Sequence, residues 1–267
     1  GGVLSMTGAI LQGIYRNPLV EPYTLGISGG AALGVSVSIV LGLHQTIGAL
    51  ILPVSGFIGA LSTIFLVYFL SIKKGVLSVN RMLLIGVMIS FIASSSMMFL
   101  MSISNAEDVH SIIFWTMGSL DESNSTLINL MFYSSLIGLL VTYLFANQLN
   151  VLRLGEAKAR HLGVNSTISI RILFVIFSLL TGLCVSIVGI IGFVGLIIPH
   201  IAKMIVGSDY RIMLITSFLG GSIFILLSDI VARTIIAPNE LPIGVITGMI
   251  GGLVFITILN KNAKTLK

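Results

Sequence analysis

The side chains able to do polar chemistry gather in one window, Asn150 to Asn165, which reads NVLRLGEAKARHLGVN. It holds Arg153, Lys158, Arg160 and His161, and Glu156 stands one helical turn before Arg160 in the favoured acid-first order. This spacing predicts a short helix. Gly163 stands where such a helix ends in the left-handed conformation, and Asn165 with Ser166 can cap the apolar segment that follows. The loop is therefore expected to be ordered and to lie flat at the membrane face, although any basic connector there shares its composition. Catalysis has little to draw on. His44, His110, His161 and His200 lie in four separate segments with no H-E-x-x-H spacing, so neither a metal site nor a general base is expected. The lone Cys184 lies inside an apolar run and reads as core. No G-x-x-x-x-G-K-[ST] phosphate loop occurs, so the chain is not expected to hydrolyse ATP, and no cofactor is implied.

The elements that must position this loop are apolar helices. Hydrophobic residues make up 56% of the 267 and charged residues 9%, with a mean hydropathy of +1.12, far outside the range of soluble domains. The expected fold is all-α and polytopic, a single transmembrane domain over residues 1–267. About nine crossings are expected, at Gly1–Ile14, Leu25–Leu43, Ile47–Ile72, Met82–Ile103, Thr126–Ala146, Thr167–Ile190, Phe193–Val206, Ile212–Ala232 and Pro242–Asn260. Two of these, the first and Phe193–Val206, are short, and the latter carries Pro199. No basic region precedes the first run and no cleavage site follows it, so it does not read as a signal peptide. If the Asn150 loop is cytoplasmic and Phe193–Val206 crosses, every Lys and Arg except Arg233 falls on or near the cytoplasmic side, with the C-terminus. The net charge of +5 is therefore the signature of a multi-pass protein among membrane lipids, not of a nucleic-acid binder.

Four runs precede the Asn105–Ser125 region and four follow the Asn150 loop, with one span between, so the halves run in opposite directions as in an inverted repeat. Gly26, Gly30 and Gly34, and likewise Gly244, Gly248 and Gly252, form smooth stripes for close helix approach. Hydroxyls and flexible thioethers on Met82–Ile103, notably Ser94, Ser95, Met97 and Met98, suit the lining of a passage for a bulky neutral solute. The segment around Trp115 and Gly118 is too short to span and belongs at the outer interface. Only Asp229 and Arg233 place charge in or near the end of a long run, four apart on one face, so no buried ion-coupling site is expected.

The spelling of Gly155 to Gly163, GEAKARHLG, resembles the G-x-A-x-x-L-G motif of ABC importer permeases. Three further stretches, GAILQGIYRNPLVEPYTLGISGGA from Gly8, GFVGLIIPHIA from Gly192 and LPIGVITGMIGG from Leu241, resemble the FecCD or BtuC-like branch, in family order along the chain. The resemblance implies a permease subunit importing an iron chelate of the ferric siderophore, haem or cobalamin class across the cytoplasmic membrane. It implies partners: two ATP-binding subunits, a second permease copy or paralogue, and an extracytoplasmic binding protein. Residues 150–165 become the cytoplasmic coupling loop, with Gly155, Glu156, Ala157, Arg160, Leu162 and Gly163 contacting the ATPase. WTMGSL from Trp115 resembles a half-helix at the outer mouth of the pathway, and SDIVAR, ending at Arg233, resembles a segment that supplies a docking arginine for the binding protein. It also implies one more helix before Gly1. From the residues alone, an ion-coupled carrier for a small organic solute remains the other reading.

Overall fold

The computed structural model describes residues 1–48, 50–73, 76–236 and 240–264, without the side chains of residues 73, 76, 156, 157 and 258–264. Among them it forms thirteen α-helices. These are α1 (Gly2–Tyr15), α2 (Ile27–Val40), α3 (Leu43–Ile47), α4 (Ile51–Ser71), α5 (Val79–Ile103), α6 (Ala106–Met117), α7 (Ser125–Leu144), α8 (Ala146–Leu152), α9 (Glu156–His161), α10 (Ser166–Val188), α11 (Val194–Val206), α12 (Tyr210–Thr234) and α13 (Ile243–Lys264). A 3-10 turn, Pro22–Leu25, leads into α2, and a small antiparallel hairpin pairs Ile72–Lys73 with Val76–Leu77. Each of the nine expected apolar runs is a helix. Five of them, α4, α5, α7, α10 and α12, are long and apolar enough to cross a membrane, so the chain is a multi-pass membrane protein.

Three of the others, α1, α2 and α11, are shorter, at 14, 14 and 13 residues. The run from Leu25 looked continuous, but Gly26 takes a left-handed φ of 80° and separates the turn from a helix of 14 residues, about 21 Å long. At α11 the same device recurs on a residue poorly suited to it: Phe193 holds φ 69°. Thus α2 and α11 both begin inside the bundle. Their entry segments meet where the Tyr23 hydroxyl donates to the Ile191 carbonyl (3.0 Å) and accepts from its N–H (3.2 Å).

Packing follows an exchange of α1 for α10, α2 for α11, α4 for α12 and α5 for α13. Helix α1 packs on α11 and α12 as α10 packs on α2 and α4; α2 packs on α4 and α5 as α11 packs on α12 and α13. The pair α1 and α10 touches across the middle, where Met6, Ile10, Leu173, Phe174 and Phe177 form the centre of the largest core cluster. This is the pairing that two inverted halves produce, with α7 as the odd crossing between them.

Glycine sets the distances. A Cβ on Gly8 would lie 1.9 Å from the Gly195 carbonyl oxygen, and one on Gly30 would lie 2.0 Å from Thr63 Oγ1 and 2.6 Å from the Gly59 carbonyl oxygen. The first expected stripe, Gly26, Gly30 and Gly34, is therefore in tight contact along its length with α4 and α5. The second is not. Gly244 abuts the Met117 and Ile190 carbonyls, but Gly248 and Gly252 face open space, and Gly251 instead meets Phe193. Four-residue spacing drifts around a helix of 3.6 residues per turn, so the seam moves by one position.

Pro199 leaves a specific gap in α11. Lacking an N–H, it cannot close the bond to the carbonyl of Gly195, four residues earlier. Gln12 on α1 supplies the missing donor, its Nε2 reaching the carbonyls of Gly195 and Leu196 at 3.2 Å each. Gln12→Leu should therefore lower thermal stability in detergent by about 1–3 kcal/mol, the cost of an unmet buried acceptor. In a Pro199→Ala background, where the backbone donor returns, that loss should shrink. Equal losses in both backgrounds, read from thermal unfolding, would sink this account.

Candidate functional site

The Asn150 window folds as expected in its backbone and is held from three sides. Gly155 adopts φ 108°, open only to glycine at low strain, and a Cβ there would approach Arg16 Nη1 to 3.1 Å. Helix α9 ends in a paired cap: the Val164 N–H bonds the Ala159 carbonyl and the Gly163 N–H bonds the Arg160 carbonyl, each at 3.0 Å, with Gly163 at φ 79°. Asn165 then caps α10 through the Ile168 N–H at 3.2 Å. Ala159 is fully buried and anchors α9, while Leu162 is 60% exposed and presents an apolar knob beside Lys158 and His161. The side chains of Glu156 and Ala157 lie outside the described residues, and with them the expected Glu156–Arg160 pair; Arg160 Nε stands 3.5 Å from Ser166 Oγ.

Preceding α9, α8 is tied to the turn between α11 and α12. Asn150 Nδ2 donates to Asp209 Oδ1 (2.7 Å), the Tyr210 N–H donates to Asn150 Oδ1 (3.0 Å), and Arg153 Nη1 donates to the Ser208 carbonyl (2.6 Å). Arg211 Nε adds a bond to Asn147 Oδ1 at 2.9 Å. The Arg211 N–H first, and then Asn150, hold the Asp209 carboxyl below the usual carboxylate range. These bonds place the loop and the α11–α12 turn on one face of the bundle.

Arg233 marks the opposite face. The expected partner Asp229 accepts from its Nε at 3.0 Å, but two more carboxylates share the guanidinium: Glu240 at 3.1 Å and Asp121 at 2.6 Å. Sequence spacing could identify only Asp229, because the other two arrive from separate loops. A hydrogen bond from Ser119 and the Arg233 charge hold the Asp121 carboxyl below its usual range. The Asp121 contact therefore contributes fully above the usual carboxylate range and is lost as pH falls through the lowered titration of Asp121. Nearby, Gly118 (φ 73°) ends α6 and joins three elements: the Ser119 N–H bonds the Val188 carbonyl (2.9 Å) and the Ile243 N–H bonds the Gly118 carbonyl (3.2 Å). Trp115 packs partly buried against the core clusters.

Helix α5 divides the four pathway residues. Ser94, Ser95 and Met98 lie on its exposed surface, Met98 at 67%, whereas Met97 turns inward against Val35, Ile39 and Ile112. Glu21, in the connector just before the 3-10 turn, where sequence pattern gives no signal, is partly buried with the Phe193 backbone within reach of its carboxyl at the start of α11.

Comparison with known proteins agrees with this architecture. The model of the FecCD transport family matches residues 1–261. An uncharacterized ABC transporter permease protein, YvrB of Bacillus subtilis, is 39% identical over 92% of this chain and 70% of its own length. The hemin transport system permease protein HmuU of Yersinia pestis is 37% identical, covering 92% of this chain and 74% of that protein. The vitamin B12 import system permease protein BtuC of Salmonella typhi is 37% identical over 99% of this chain and 80% of its own length. A solved structure of a metal-chelate type ABC transporter in an inward-facing conformation superposes with a TM-score of 0.89 at 34% identity, over 97% of this chain and 82% of that one. The chain belongs to the FecCD transport family.

Proposed function

We propose that the chain is the membrane-spanning permease subunit of an ABC importer in the cytoplasmic membrane. Its substrate is an iron or cobalt chelate of the ferric siderophore, haem or cobalamin class. The observation that carries this reading is the family match across a bundle of two similarly packed halves, with relatives named for hemin and vitamin B12 import. That match removes the support for an ion-coupled carrier. ATP hydrolysis belongs to two copies of a separate ATP-binding subunit, and an extracytoplasmic binding protein delivers the substrate. The pathway forms between this chain and a second permease, copy or paralogue, lined from α5 by Ser94, Ser95 and Met98, while Trp115 and Gly118 anchor its outer gate.

Residues 150–165 form the cytoplasmic coupling loop, and the C-terminus shares its side. Leu162 and the basic face of α9 meet the ATPase; Gly155 and Gly163 fix the angle at which they do so. Because α8 is bonded to Ser208, Asp209 and Tyr210, displacement of the loop moves the start of α12 with it. Reconstituted with its ATPase and binding protein, the permease should show ATP hydrolysis stimulated by one chelate of this class. Stimulation by none of ferric siderophores, haem and cobalamin would overturn the substrate reading.

Gly163 offers a cleaner test of coupling, since a Cβ there would meet nothing within 4 Å and the only penalty is backbone strain. Gly163→Val should cost about 1–2 kcal/mol in the cap and abolish uptake without loss of membrane insertion, whereas Gly163→Asn, which tolerates left-handed φ, should retain uptake. Wild-type uptake by the valine variant refutes the role.

Docking of the binding protein engages Arg233 by exchange: a partner carboxylate replaces the more exposed Asp121 or Glu240, while Asp229 stays. Arg233→Glu should slow association and flatten its salt dependence, charge reversal on the partner should restore it, and Asp121→Asn should speed it. Association rates in nanodiscs that ignore all three changes across ionic strengths would leave Arg233 as an internal clamp only.

A further inference from the structure

A cavity of about 300 Å³ lies between the Asn150 loop and the ends of α1 and α11. Three cations from three separate elements line it: Arg16 after α1, Arg153 after α8 and Lys203 in the last turn of α11. His200, one turn before Lys203, lines it as well, and its buried Nε2 has no hydrogen-bond partner among the described residues. Among the described residues, no carboxylate lines the cavity. The adjacent acid, Asp209, is already engaged by Asn150 and by the Arg211 N–H (3.0 Å). Among the described residues, none of the three cations forms an ion pair with a carboxylate.

The walls are fixed before any ligand arrives. Tyr210 donates to the Ala9 carbonyl at 3.2 Å, Gln12 is bonded to α11, and Arg153 is bonded to Ser208. Arg16 itself stands at φ 52°, a left-handed conformation uncommon for a residue with a side chain. Three like charges collected around one pre-formed cavity repel each other unless an anion sits among them, and Arg and Lys together suit the oxygens of a phosphate.

We infer that this cavity binds the phosphate of an anionic phospholipid headgroup. The residue after Lys203 on α11 favours a lipid source over free phosphate. Met204, on the same helix face as His200 and next to Lys203, is 65% exposed and offers an apolar surface along which an acyl chain can lie while the headgroup enters between the helix ends. Recognition is by charge and shape of the phosphate, so phosphatidylglycerol is the probe.

The test uses the purified permease–ATPase complex in nanodiscs of mixed phosphatidylglycerol and phosphatidylcholine, with retained lipids counted by native mass spectrometry after extraction. Wild type should enrich phosphatidylglycerol. Arg16→Gln and Lys203→Gln should each lower that enrichment about fivefold, as expected for one cation near a membrane surface, and the pair more than either. Arg81→Gln, on an apolar helix outside the cavity, should leave it unchanged. If Arg16→Gln fails to fold, Lys203→Gln alone, on an exposed position, still decides. Equal retention of both lipids, or undiminished enrichment in Lys203→Gln, overturns the inference. So does inorganic phosphate displacing the lipid at millimolar concentration, which would make this a free-anion site. Loss of ATPase association with unchanged lipid retention would assign the cations to a partner's acid and overturn it too. These outcomes do not depend on chelate transport, so failure here and failure of the importer reading are separable.

Discussion

Two helices begin in the middle of an apolar bundle, and the backbone groups that those breaks release must find partners away from water. That requirement organises the rest. Before α11, the N–H and carbonyl of Ile191 are both met by the Tyr23 hydroxyl from the segment that leads into α2, so one half satisfies the break in the other. Pro199 opens a further gap and Gln12 closes it from α1. Such bonds tolerate little separation, which is why the same helices meet through Gly8 and Gly195 and through Gly30 and Gly59. Once those contacts are set, α1 and α10 pack across the centre and α4 and α12 close around them.

A bundle joined this way transmits displacement as a unit. The loop between α8 and α10 is bonded to the turn that starts α12, and α12 runs the full depth of the bundle to the carboxylate clamp around Arg233. Both ends of one long helix are therefore tied to loops on opposite faces. The proposed coupling and docking contacts sit at those two ends, a geometry that lets an event on one face bias the other. The outer helices are built for a different purpose. Few residues of α5 (Met82, Gly86 and Ala93) and of α7 (Gly138 and Thr142) are buried within the chain, so their apolar surfaces are open to lipid or to a second permease.

The three cations beside the loop show how local charge and topology interact. Each follows from the ordinary preference for basic residues on one membrane face, and each alone would need no explanation. Folding brings them around one cavity with no acid among its described lining residues. Their convergence is a tertiary fact, and the lipid inference rests on it.

The sequence by itself determined the membrane class, the nine apolar helices and the capped basic loop, because these depend on local hydropathy and on residues within a turn of one another. Gly163 and Asn165 could be assigned their caps for that reason, and the Asp229–Arg233 pair follows from helical spacing. What lay beyond local reach was decided only by packing. The Asp121 and Glu240 partners of Arg233, the burial of Met97 and the approach of Glu21 to Phe193 each join residues far apart in the chain. The shortness of α2 and the shifted glycine seam of α13 depend on where neighbouring backbones lie. Hydropathy records that a segment avoids water, but not which neighbour excludes it, and that choice belongs to the tertiary structure.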